Sequence, residues 1–135
     1  MLQPRKTKYL KVHRAQSKGK ASKNNKIIFG SFGLKSLESC WITSKQIEAS
    51  RRILSRSTKK IGKFWIKIFP DLSITKKPIS SRMGSGKGSV KFWVAAVKKN
   101  HLLFELDSVT KKKAVDLFKS ISYKLPVKTQ ILIKN

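Results

Sequence analysis

The sequence predicts an α+β domain: a compact two-layer fold with a mostly antiparallel or mixed sheet and two helices, preceded by an extended basic arm. Three observations predict it. Two segments repeat their apolar residues at helical spacing, several short segments are apolar or alternate with period two, and the first 26 residues do neither. A length of 135 residues fits one domain, and a hydrophobic fraction of 39% is enough for a core.

Residues 1–26 are rich in Lys and Arg, hold no acid and show no apolar period. Such a segment cannot bury enough apolar surface to offset its own ordering entropy. Two readings fit it: a transit peptide, which is also basic and acid-poor, or an arm that orders on RNA. Fully extended it would reach about 85 Å. Residues 27–135 are the expected globular domain. Residues 27–42 read as extended, with Gly30 and Gly33 marking bends or close backbone approach. A helix follows, opened by the capping box Thr43-x-x-Gln46 and stopped near Gly62. At about 100° per residue, Ile47, Leu54 and Ile61 fall on one side and Lys45, Arg52, Arg56 and Lys59 on the opposite one, with Ile53 off the stripe. Only Glu48 carries an acid near the edge of that cationic face.

Residues 63–70, KFWIKIFP, alternate as a strand ended by Pro70; 71–89 read as a loop. VKFWVAAV (90–97) and HLLFELD (101–107) read as two strands of a hairpin across a short turn. Ala114, Leu117, Phe118 and Ile121 set a second helix over about 110–123, with Asp107 or Ser108 as candidate cap and Pro126 just beyond. VKTQILI (127–133) closes as a strand.

The charge narrows the function. Lys and Arg number 32 against 6 acids, a formal +26. That self-repulsion calls for a polyanionic partner, with nucleic acid first and a membrane surface second. The longest apolar run, Phe92–Val97, is far short of a membrane span. Cys40 is alone and the two histidines are distant, so no intrachain disulfide and no closed zinc site can form. No cofactor or metal is expected. The acids form no acid–base motif; Glu105 and Asp107 share a strand face without a third ligand and read as capping or ion-pairing groups. A small RNA-acting enzyme and a membrane-active cationic protein are thus the weaker alternatives to an RNA-binding structural protein.

The glycine-rich loop at 79–89, with RMGSGKGS at 82–89, raises the question of whose phosphate it meets. A nucleotide-binding P-loop requires G-x-x-x-x-G-K-[S/T]; here Ser81 replaces the first glycine and Gly88 the hydroxyl, and no helix follows. A dinucleotide fingerprint fails on spacing and context. Two readings remain, a plain flexible hairpin tip and, favoured, a mobile tip pressed against RNA, whose glycines permit close approach and whose Arg82 and Lys87 supply charge for phosphate.

MLQPRKTKYLKVHR at the start, FGSFGLK at 29–35, QIEASRR at 46–52, FPDLSITKKP at 69–78, RMGSGKG at 82–88 and KLPVKTQ at 124–130 stand in one order. Together they resemble the bacterial-type large-subunit ribosomal protein L-sixteen family, most closely its plastid versions. The resemblance implies a hammerhead-like α+β fold and a place against 23S-type rRNA, neighbouring large-subunit proteins, aminoacyl-site tRNA and, at the tip, peptidyl-site tRNA near the peptidyl-transferase centre. It implies that Arg5, Lys6, Lys8, Lys11, His13 and Arg14 lie in an rRNA-binding arm, that Arg51 and Arg52 belong to the matching helix motif beside Arg56 and Lys59, and that Arg82, Met83, Gly84, Ser85, Gly86, Lys87 and Gly88 form the loop facing tRNA. It implies a non-catalytic protein, neither membrane-bound nor homo-oligomeric. A start matching the family's own implies no added transit peptide and synthesis within a plastid, a mitochondrial matrix or bacterial cytoplasm being the alternatives. Departures are Leu10 for a usual base, Glu38-Ser39-Cys40-Trp41 for a basic stretch, Ser85 for a frequent Lys, and Lys111-Lys112-Lys113 where relatives tend to carry acids. The last is expected to add a phosphate contact; unchanged subunit association of a Lys111→Glu, Lys112→Glu variant at raised salt would refute it.

Overall fold

A computed structural model describes residues 2–14, 17–59 and 62–134. In chain order it contains β1 (Phe32–Ser36), β2 (Cys40–Thr43), α1 (Ser44–Ser57), β3 (Lys63–Ile66), β4 (Leu72–Lys76), β5 (Ser89–Val97), β6 (Leu102–Asp107), α2 (Lys111–Ser122) and β7 (Thr129–Ile133). The strands form two sheets, ordered β3-β6-β1-β7 and β2-β5-β4, and every pairing between them is antiparallel. The α+β expectation therefore holds, with two sheets where one was expected.

The capping box forms as the sequence predicts. The Thr43 hydroxyl accepts from the Gln46 N–H at 3.3 Å, and the Gln46 side-chain oxygen accepts from the Thr43 N–H at 2.9 Å. This satisfies N–H groups that a helix start otherwise leaves open. Ile47 and Leu54 are fully buried beneath α1; Ile61, assigned to the same stripe, lies outside the described residues. The helix ends at Ser57, earlier than Gly62. Thr58 closes the last turn, its N–H and its hydroxyl both donating to the Leu54 carbonyl at 2.9 and 2.8 Å, and its own backbone leaves the helical region.

Three further expectations are corrected. Residues 71–89 are not all loop, because Leu72–Lys76 is a strand paired to β5. Pro70 and Pro78 bracket it, which made the whole stretch read as irregular, although Ser73, Ile74 and Thr75 are all buried. The segments 90–97 and 101–107 are not a hairpin, since β5 and β6 belong to different sheets. The turn between them bonds to the end of β1: the Asn100 N–H donates to the Ser36 carbonyl at 2.8 Å, and the Ser36 N–H to the His101 carbonyl at 2.9 Å. Asn100 takes a positive φ of 68° there, and the chain crosses from one sheet to the other. Finally, α2 is capped by neither Asp107 nor Ser108. Asp107 instead accepts a hydrogen bond from the Ser31 hydroxyl, Ser108 bends with φ 60°, and Thr110 occupies the cap position without a side-chain bond.

One core joins both helices to both sheets. Phe104 and Leu106 of β6, Leu34 of β1, Ile42 of β2, Val97 of β5, and Phe118 and Ile121 of α2 are buried within it. The opposite face of the four-stranded sheet carries a row set by register: Trp65 opposite Glu105, and Glu105 opposite Gly33. Residues 27–30 cross that row. Ile27 lies so close that a Cβ on Gly33 would stand 2.9 Å from its Cγ1, so the glycine admits the strap.

Candidate nucleic-acid interface

The β4–β5 hairpin presents the glycine stretch at its end. Gly84, Ser85 and Gly86 take positive φ values of 101°, 55° and 77° in succession, a backbone that glycine adopts without strain and that bends the chain sharply. At the loop's exit, Gly88 passes so near Lys76 that a Cβ would sit 2.8 Å from its backbone. Arg82, Met83, Ser85 and Lys87 are exposed, Met83 almost completely at 98%.

The arm lies along this hairpin. The Leu10 carbonyl accepts from the Ser73 hydroxyl at 2.7 Å, and the Arg14 guanidinium donates to the Thr75 carbonyl at 3.3 Å. Two lysines bond reciprocally at the tip: the Lys11 ammonium donates to the Lys87 carbonyl at 2.8 Å, and the Lys87 ammonium to the Val12 carbonyl. Lys77 donates to the Gly84 carbonyl within the loop. The structure thus brings Lys11 and Lys87 together at the tip and sets Arg14 on β4, while Arg5, Lys6, Lys8 and His13 lie exposed along the same arm. Among the described residues no ion pair reaches any cation of the arm or tip. These lysines bond to neutral carbonyls, so their charge stays uncompensated.

The arm's later residues dock on the β5–β6 turn. Ala21 donates to the Lys99 carbonyl at 2.8 Å, and the Asn24 carbonyl accepts from Leu102 at 2.8 Å. The Asn24 amide also meets His101 Nε2 at 2.8 Å and donates to the Lys67 carbonyl at 3.1 Å. Burial pushes the His101 imidazole below its usual value. Asn24 and His101 were missed in sequence, where neither has a signal; only their meeting across 77 positions gives them a role.

On α1 the expected basic residues divide. Arg51 binds Glu48 through two nitrogens at 2.8 and 2.9 Å, and Arg52 reaches the same carboxylate at 3.4 Å. Arg51's hydrogen bonds, helped by its charge and by Arg52 against the cost of desolvation, hold the Glu48 carboxyl down at about 2. Arg56 and Lys59 are exposed and without an acid partner among the described residues. The start of the arm approaches this helix, since Leu2 and Gln3 share a groove of about 420 Å³ with Thr43, Lys45 and Phe92. Lys111, Lys112 and Lys113 are exposed in the first turn of α2.

The acids do structural work. Both oxygens of the buried Glu105 face the strap, accepting from the N–H groups of Ile28 (3.3 Å), Phe29 (2.7 Å) and Gly30 (2.9 Å), with Lys67 Nζ at 3.6 Å. Burial opposes the Glu105 charge, yet these three donors and Lys67 outweigh it and hold the carboxyl below its usual range. Among the described residues no group of three or more His, Cys, Asp or Glu side chains could hold a metal ion, and no helix is long and apolar enough to cross a membrane.

Residues 4–132 match the family model described as ribosomal protein L16p/L10e. The chain is 49% identical to the large ribosomal subunit protein uL16c of Porphyra purpurea over 135 residues, covering all of this chain and 97% of the relative. It is 52% identical over 133 residues to uL16c of Staurastrum punctulatum, covering 98% of this chain and 94% of that one, and 51% identical to uL16c of Pleurastrum terricola, covering 100% and 97%. A match across nearly the whole length, through arm, hairpin and both helices, makes this chain a member of the ribosomal protein L16p/L10e family.

Proposed function

We propose that this protein is a structural, non-catalytic constituent of the large subunit of a plastid ribosome, and that it binds 23S-type rRNA through its arm and tRNA through its hairpin tip. Family membership carries the coarser part: the relatives are large-subunit ribosomal proteins of plastid type, matched from end to end. The finer part rests on one observation, the uncompensated cations of an arm and a glycine tip joined through Lys11 and Lys87. A cationic ridge with no acid partner, on a chain of net charge +26, suits a nucleic-acid backbone.

In this reading Arg5, Lys6, Lys8, Lys11, His13 and Arg14 meet rRNA phosphates, and Arg56 and Lys59 do so from α1. Arg51 and Arg52 act with Glu48 as a preset pair, the carboxylate holding the Arg51 fork in place. The tip, Arg82 to Gly88, faces aminoacyl-site tRNA and the peptidyl-transferase region, and its glycines let RNA approach the main chain. Any peptide-bond chemistry belongs to the RNA.

Sedimentation of native lysate on a sucrose gradient, with and without ribonuclease, tests this. The expected result is comigration with the large subunit that ribonuclease abolishes. A ribonuclease-insensitive peak near the monomer would overturn the proposal.

A further inference from the structure

Phe29 is held in solvent by a large set of fixed bonds. The strap that carries it is pinned by Glu105 through three consecutive N–H groups, by Lys134 Nζ on the Ile28 carbonyl at 3.3 Å, and by the Ser31 N–H on the Leu106 carbonyl at 2.9 Å. Gly30 presses so tightly on β6 that a Cβ would lie 2.4 Å from the Leu106 oxygen. Thus fixed, the Phe29 ring stacks on Trp65 with centroids 5.8 Å apart and planes 25° apart, and Lys67 Nζ stands 4.5 Å from its centroid. Phe29 nevertheless remains 58% exposed.

We infer that Phe29, backed by Trp65 and steadied by Lys67, is a stacking platform for an unpaired RNA base, with Lys134, which bonds the neighbouring Ile28 carbonyl, and Lys63, two residues before Trp65 on β3, for the flanking phosphates. The ring presents an aromatic surface whose position is set before binding, so little order is lost when a base lands on it. Single-stranded RNA is recognised in this way, by bases splayed onto aromatic side chains within a cationic surround. Lys63 and Lys134 are exposed. The nearby acids are already engaged, Glu105 with the strap and Asp107 with Ser31. That charge balance favours a polyanion over a protein partner. The platform belongs to the four-stranded sheet, whereas the hairpin tip and the arm residues bonded to it belong with the three-stranded one. The inference rests on the RNA-binding reading for its class of partner and adds a second, aromatic contact.

The test uses large subunits containing the full chain, irradiated with ultraviolet light and digested with trypsin. The expected product is the peptide of residues 27–35 carrying a nucleotide on Phe29, or the Trp65 peptide likewise. In parallel, purified full-length protein is titrated with a 23S-type rRNA transcript. Phe29→Leu should bind about tenfold more weakly with an unchanged slope of affinity against salt, since stacking and no phosphate contact is lost, and Phe29→Tyr should restore binding. Comigration with the subunit but no nucleotide adduct, or adducts to another protein instead, would overturn the platform and leave the ribosomal reading standing. Wild-type affinity in Phe29→Leu, or a lowered salt slope, would also overturn it. Failure to comigrate would refute the ribosomal reading itself. If Phe29→Leu misfolds, the adduct on the unmutated protein decides.

Discussion

At the scale of single residues, Glu105 matters most to the four-stranded sheet. Its carboxylate gathers three backbone N–H groups and one ammonium in a buried position. Glu105→Gln would set an amide NH₂ against those donors and leave Lys67 without its counter-charge. The expected loss is about 3 kcal/mol in a denaturant melt, with faster hydrogen exchange at Phe29 and Gly30. The wild-type protein should show the same weakness in acid. Because the folded carboxyl sits below its ordinary range, its stabilising contribution is complete above the unfolded value of about 4.3 and is lost as pH falls through the folded one. His101 acts at a higher pH. Burial lowers its folded value, so the folded state disfavours the proton that the unfolded chain accepts near pH 6.5. The attachment of residues 20–25 should loosen as pH drops below that point, read as faster exchange at Ala21 and Leu102. Glu105 was legible in sequence only as a structural acid on a strand face. Its partners 75 to 77 positions away were not, because a carboxylate that binds backbone N–H groups leaves no side-chain signature.

At the scale of elements, the helices were the most readable parts, since period and capping are local. Thr43→Ala should remove the cap of α1 and cost about 1 kcal/mol, a fall in melting temperature of about 3–5 °C. The cap of α2 is the opposite case. Thr110 has extended backbone angles suited to a cap but makes no side-chain bond, and the first turn holds no acid. Thr110→Asp should therefore stabilise the protein by about 0.5–1 kcal/mol by capping, opposing the dipole and facing Lys111 to Lys113. Strands were legible wherever apolar residues alternated, but their partners were not. The β5–β6 pair looked like a hairpin because a turn joins two apolar strands. The bonds of Asn100 and His101 to Ser36 send the second strand into the other sheet, and nothing within residues 90–107 announces Ser36. Strand β4 was missed because Ser73 and Thr75 are polar and yet buried, with the Ser73 hydroxyl satisfied by the arm's Leu10 carbonyl.

At the scale of the whole molecule, charge dominates. The net +26 is visible in composition, and with it the class of partner. The assembly of arm and tip through Lys11 and Lys87 was not visible, because lysine bonding to a carbonyl has no sequence pattern. RNA affinity should fall steeply with salt. Arg82→Ala should lower the slope of log affinity against log salt by about 0.7–0.9, one phosphate's share, in a filter-binding titration with an rRNA transcript.

The arm's bonds also set an order in time. Its partners are Ser73, Thr75, Lys87, Lys99 and Leu102, all made long after it during synthesis from the N-terminus. The arm is thus anchored only once β4, β5 and the turn after β5 exist. Until residue 102 has been made, the turn that holds Ala21 and Asn24 cannot close, so the arm's full attachment waits on the completion of β5 and the turn beyond it.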